Sequence, residues 1–190
     1  LWEHTQFQFS FFVYTSYTSA ELFLNGKSLG VQTKNNTSPQ HRYRLMWMDV
    51  KYEPGTLKVI AFNKEGKPVS EKEIKTAGEP YKIQLIADRE TIMADGKDLS
   101  YVTASVVDKN GVECPTATNQ LKFKVKGSGS FRAACNGDAT SLEMFHLPTM
   151  KLFSGKLVVL VQSLKEYGTM ELVVTGKGLK TGKIIIKSVK

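Results

Sequence analysis

An all-β chain of two tandem immunoglobulin-like β-sandwich domains is predicted by three observations. Short segments alternating apolar and polar residues fill nearly the whole sequence. Turn signals interrupt them at roughly 8–12-residue intervals, and nowhere is a 3.6-residue apolar period sustained as a helix requires. Taken in order, Phe7, Phe9, Phe11 and Val13 alternate with Gln6, Gln8 and Ser10 as a first strand. Residues 20–24 run into Asn25-Gly26, a hairpin signal because a type I′ turn needs two residues at positive φ. Tyr43, Leu45 and Trp47 share one face of the next strand, and Leu57, Val59 and Ala61 one face of another, with Pro54-Gly55 turning the chain between them. Lys64-Glu65-Gly66-Lys67 turns it again before a strand over 69–75.

Thr76-Ala77-Gly78-Glu79-Pro80 reads as a junction, so domains are expected at 1–79 and 80–190. In the second, Ile83, Leu85 and Ala87 point one way, as do Val102, Ala104 and Val106 after the Asp95-Gly96 turn. Asn110-Gly111 makes a further turn, and Leu121, Phe123 and Val125 follow. Gly127-Ser-Gly-Ser130 is glycine-rich but lacks the Gly-Lys-Ser/Thr ending of a phosphate cradle, and it reads as a flexible inter-strand loop. Strands over 157–162, 170–175 and 183–189 close the chain.

The formal net charge of +8 raises nucleic acid as a partner, and its distribution argues against one. Lysines alternate with apolar residues, as in Lys122-Phe123-Lys124-Val125-Lys126, which is how a half-buried strand faces water. The apolar run at 157–161 is far short of the roughly 20 residues of a membrane span, so none is expected. No catalytic, metal or cofactor-binding residue is assigned. His4, His41 and His146 stand in unrelated contexts and read as surface or loop residues, and Glu21, Glu143 and Glu171 cannot be paired for glycosidic hydrolysis from sequence. Cys114 and Cys135 leave one bridge or two free thiols open. Among the aromatics that could stack on sugar, Trp2, Tyr52 and Tyr101 remain candidates, whereas Trp47 reads as core.

Glu21-Leu-Phe-Leu-Asn-Gly-Lys-Ser-Leu-Gly30 resembles a signature that follows the catalytic barrel in family 2 glycoside hydrolases of the β-galactosidase type. Trp47-Met-Asp-Val-Lys-Tyr-Glu-Pro-Gly55, then 57–63 and Thr76-Ala-Gly78, look like the rest of that module. Residues 83–88, 94–99 and 106–111, Asn136-Gly-Asp138 with Thr140, Ser141 and Glu143, and Phe153-Ser-Gly-Lys-Leu157 resemble the last, invasin-like module of these enzymes. Relatives carry a glycine where Cys135 stands and a proline where Ala139 stands.

The resemblance implies a non-catalytic accessory fragment, consistent with a chain that opens on Leu1, whose parent is a glycoside hydrolase. It would pack against or shape the catalytic barrel of the parent chain, contribute to a homo-oligomer, and show an exposed apolar or aromatic patch. It also implies a periplasmic or extracellular location. The alternative is a carbohydrate-binding module contacting an oligosaccharide through Tyr101, Asn136, Asp138 and Glu143, with a surface adhesion module as a third reading. Against the second, Asn136-Gly137-Asp138 also reads as a turn whose side chains cap its own backbone.

Overall fold

The computed structural model describes residues 8–190, so the readings placed on Trp2, His4 and Phe7 lie outside the described residues. Fifteen strands and no helix are present among them, and the chain divides into two compact units between Thr76 and Ala77.

The first unit contains β1 (Gln8–Val13), β2 (Ser19–Leu24), β3 (Lys27–Thr33), β4 (Leu45–Lys51), β5 (Thr56–Phe62) and β6 (Pro68–Lys75). One sheet is β1-β4 and the other β3-β2-β5-β6. Those orders match the B-E and C′-C-F-G neighbours of an immunoglobulin sandwich. Ala20, Leu22 and Ala61 from the larger sheet meet Leu45, Trp47 and Val50 from the smaller, and Trp47 Nε1 donates to the Gly30 carbonyl at 3.0 Å.

The Asn25-Gly26 turn forms with φ of 51° and 80°. Its Asn25 side chain also brackets the Pro54-Gly55 turn. Nδ2 donates to the Pro54 carbonyl at 3.1 Å, and Oδ1 accepts from the Thr56 N–H at 2.8 Å. Thr76 closes the same knot, its hydroxyl accepting from Gly55 N–H while its own N–H donates to the Gly55 carbonyl.

Two strand readings are corrected here. A bulge between Phe9 and Phe11 breaks the period of two, so Phe9 turns outward against Tyr52, with ring centroids 5.7 Å apart. Tyr43 is 68% exposed and precedes β4, because backbone bonds between Asn35 and His41 and between Ser38 and Arg42 hold that segment in turns.

The second unit contains β7 (Lys82–Ala87), β8 (Thr91–Met93), β9 (Leu99–Val107), β10 (Gln120–Gly127), β11 (Gly129–Cys135), β12 (Thr149–Lys151), β13 (Lys156–Ser163), β14 (Gly168–Gly176) and β15 (Gly182–Val189). Its sheets are β11-β13-β9-β7 and β12-β10-β14-β15-β8. Read as A to G, strands β7, β9, β10, β11, β13, β14 and β15 give the A-B-E-D and C-F-G orders of the immunoglobulin fold. The short β8 runs parallel to β15, an element too brief to leave a period in the sequence. Val102, Val159, Leu121, Met170, Leu172 and Ile186 are among the fully buried residues that fill the space between the sheets.

The Gly127-Ser-Gly-Ser130 segment is not a flexible loop but the step from one sheet to the other. A Cβ on Gly127 would collide with the Thr169 carbonyl oxygen, and one on Gly129 with the Met170 sulfur, so both positions need glycine. Between them Ser128 is buried and its hydroxyl accepts from Ser188 Oγ at 3.1 Å. Ala77 packs on the second core, and Gly78 N–H donates to the Asp108 carboxylate at 2.8 Å. The chain therefore enters the second unit a little before Glu79. Cys114, buried, and Cys135, exposed, are both free thiols.

Candidate functional site

In β9 the odd-numbered residues from Leu99 to Thr103 point away from the core, since Ser100, Val102 and Ala104 point in. The register carries this face across the sheet. Ile86 stands beside Thr103, Val158 and Cys135, and Tyr101 beside Leu160 and Ala133. An outer sheet face that met only water would alternate polar against the core. This one instead presents Ile86, 60% exposed, with Tyr101, Val158, Leu160 and Ala133 in one contiguous patch.

The connection from β11 to β12 extends the patch. The Phe145 carbonyl accepts from Ala134 N–H at 2.8 Å, which fixes the returning loop along the β11 edge. Leu142, 97% exposed, Met144 and Phe145 then stand over an open cleft of about 590 Å³ whose other side is Leu99, Leu160, Ala133 and Arg132. His146 and Glu143 supply polar groups at its rim.

The four sugar-contact candidates are distributed unevenly about this cleft. Tyr101 lies on the adjoining sheet face, its N–H donating to Asp88. Glu143 lines the cleft, but its carboxylate accepts from Lys151 N–H at 3.1 Å and Gln120 Nε2 at 3.2 Å. Asn136 and Asp138 serve their own loop. Asn136 Oδ1 accepts from Asp138 N–H, Asn136 Nδ2 donates to the Lys151 carbonyl, and Asp138 accepts from both the hydroxyl and the N–H of Thr140. Those Thr140 bonds hold the Asp138 carboxyl below its ordinary pKa. The structure thus brings Tyr101 and Glu143 toward one surface and commits the Asn-Gly-Asp turn to loop architecture. Leu142, Met144 and Phe145 were missed as surface residues. Their only signal is an apolar cluster, Leu142 to Leu147, that fits neither a strand nor a turn.

A second cleft of about 680 Å³ in the first unit is lined by Trp47 with Lys27, Gln32, Asp49 and Glu53. Trp47 is only 4% exposed, so its ring has no free face for a sugar. Among the described residues no three His, Cys, Asp or Glu side chains gather as metal ligands, and no helix is long and apolar enough to cross a membrane.

The described residues thus form immunoglobulin-type β-sandwich modules, and the second of them carries an apolar outer sheet face. Residues 83–185 match glycoside hydrolase family 2 C-terminal domain 5, and residues 8–70 match a domain of unknown function (DUF4982). The chain belongs to the glycoside hydrolase family 2 C-terminal domain 5 family, and it matches the non-catalytic C-terminal region of family 2 β-galactosidases and glycosidases.

It is 43% identical over 167 residues to a β-galactosidase of Bacteroides ovatus, covering 88% of this chain and 19% of that protein. A β-glucuronidase of Formosa agariphila is 28% identical over 180 residues, with 93% and 18% covered. Among solved structures, a β-glycosidase from Bacteroides vulgatus superposes with a TM-score of 0.88 at 31% identity, over 98% of this chain and 24% of that one. A family 2 glycosyl hydrolase from Bacteroides cellulosilyticus gives 0.87 at 34%, over 95% and 23%. The chain thus spans about a fifth of the length of the curated relatives it matches.

Proposed function

We infer that this chain is the accessory region of a β-galactosidase-type glycoside hydrolase and that it seats against the catalytic barrel of its parent through the apolar face of β9 and β13. The observation that carries this reading is the patch itself. Ile86, Tyr101, Leu142, Met144 and Phe145 are all exposed on one side of the second unit. An apolar surface of that kind is ordinarily covered by a partner, and its burial contributes about 25 cal/mol per Å² before the costs of association. Family membership supports a barrel as the partner. The relatives' names divide between galactosidase and glucuronidase, which supports a structural contribution over sugar selection by this region.

The test is the paired substitution Ile86→Lys and Leu142→Lys in the parent enzyme. Both side chains point to water in the isolated chain, so its own unfolding should be unchanged. In the parent the same pair should lower the melting temperature of the barrel and shorten the half-life of hydrolysis. If the parent is unaffected, the face does not seat there. Sedimentation of the isolated chain at rising concentration addresses self-association through the same face, and titration with neutral oligosaccharides monitored at Tyr101 addresses direct glycan contact. Either of those results with an unaffected parent replaces the docking reading. The same reading carries a periplasmic or extracellular parent, checked by fractionating producing cells.

A further inference from the structure

The opposite side of the second unit has a different chemistry. In the β12-β10-β14-β15-β8 sheet the inward residues are Leu121, Phe123, Leu172, Val174 and Ile186, so the intervening positions face out. On β10 these are Lys122, Lys124 and Lys126, all exposed. The register sets Lys124 in line with Val173 and Lys183, and Lys126 in line with Glu171 and Ile185. Lys187 extends the face on β15, and Lys151 on β12 pairs with Gln120 at its other border.

Six lysines therefore share one sheet face. Among the described strand residues of that face Glu171 is the carboxylate, and it stands 3.6 Å from Lys183 in an exposed pair too weak to neutralise the rest. Glu143 lies at the β12 border, bound to Gln120. The alternating lysines that look in sequence like ordinary solvated strand positions are gathered here by the sheet, while the second unit's aspartates sit in loops at Asp88, Asp95, Asp98, Asp108 and Asp138.

We propose that this lysine face binds an acidic polysaccharide, one bearing carboxylate or sulfate groups along its length. Successive lysines on β10 stand about 7 Å apart along the strand, and neighbouring strands about 4.8 Å apart, a two-dimensional lattice of donors suited to an extended polyanion. Nucleic acid fits less well, because none of the described outward residues of β10, β14 or β15 is aromatic and the face offers no platform for base stacking. The choice of a glycan rests on membership in the hydrolase family. It does not depend on docking through the apolar face, which lies on the other sheet.

The experiment is titration of the chain, at low and at physiological salt, with polygalacturonate and chondroitin sulfate, alongside neutral galactan, duplex DNA and phosphatidylserine vesicles. Saturable binding to one or both acidic glycans that weakens with salt is expected, with the two glycans separating carboxylate from sulfate. The triple change Lys122→Gln, Lys124→Gln, Lys126→Gln should weaken it roughly tenfold or more. The same charge removed at Lys27, Lys64 and Lys67 in the first unit should leave it nearly intact. Lys183→Gln with Lys187→Gln approaches the face from another strand and serves if the triple variant fails to fold. The proposal is overturned by galactan binding equally well, by DNA or vesicles binding more tightly than either glycan, by retention of binding in the folded variants, or by no binding at low salt.

Discussion

Asn25 shows how much a single side chain can organise. Its backbone adopts a positive φ that asparagine tolerates better than most residues, while its amide reaches Pro54 and Thr56, 29 and 31 positions further along. Replacing it with alanine removes both bonds and leaves a Cβ residue in the left-handed region. Asn25→Ala should therefore destabilise the first unit by about 1–3 kcal/mol. Asn25→Gly, which keeps the backbone freedom, should recover part of that loss, as read from urea unfolding of the two variants. Equal losses would assign the whole effect to the side-chain bonds. The Asn-Gly turn was legible in sequence because its backbone demand is local. The clasp on Pro54-Gly55 was not, since nothing in the order of residues shows which distant turn an amide will meet.

At the level of strands and loops, alternation located the core faces correctly at Leu57, Val59 and Ala61 and at Ile83, Leu85 and Ala87. It failed where a bulge inserts at Phe9 or where turns occupy the chain before Leu45, because a period of two presumes an uninterrupted pleat. The loops are ordered by aspartates. Asp98 accepts from Met93 N–H, Leu99 N–H and Arg89, Asp95 from the N–H groups of Lys97 and Asp98, and Asp108 from those of Gly78, Asn110 and Val112.

These bonds favour the charged form and hold all three carboxyls below their ordinary range, backbone donors being the leading cause at each. Their stabilising contribution is therefore complete above the unfolded pKa of about 3.9 and is lost as pH falls through the lower folded values. The urea midpoint of the second unit should be level from pH 7 to about 5 and decline below about 4, with Asp98→Asn flattening the decline. A midpoint that falls as steeply in the variant would assign acid sensitivity elsewhere.

For the molecule as a whole, the sequence showed an all-β chain with a junction near residue 79 and a net charge of +8, but not which residues share a surface. Ile86, Leu142 and Phe145 are far apart in the chain, and only the register of β7, β9, β13 and β11 and the loop clamped at Ala134 bring them to one side. The same is true of Lys124 and Lys183, joined through Val173. One sandwich thereby carries an apolar face and a cationic face back to back, so contact with a parent domain and contact with a charged polymer need not compete. The cysteines add a last consequence. Cys135 lies in the open, whereas the Cys114 thiol is buried against the Gly78 carbonyl, its pKa raised by burial and then by the charges of Asp108 and Glu79. A thiol reagent should modify Cys135 at once and Cys114 only when the Gly78 segment lifts away, making the slow phase a clock for local opening. Two equally fast phases would mean that the segment is already loose.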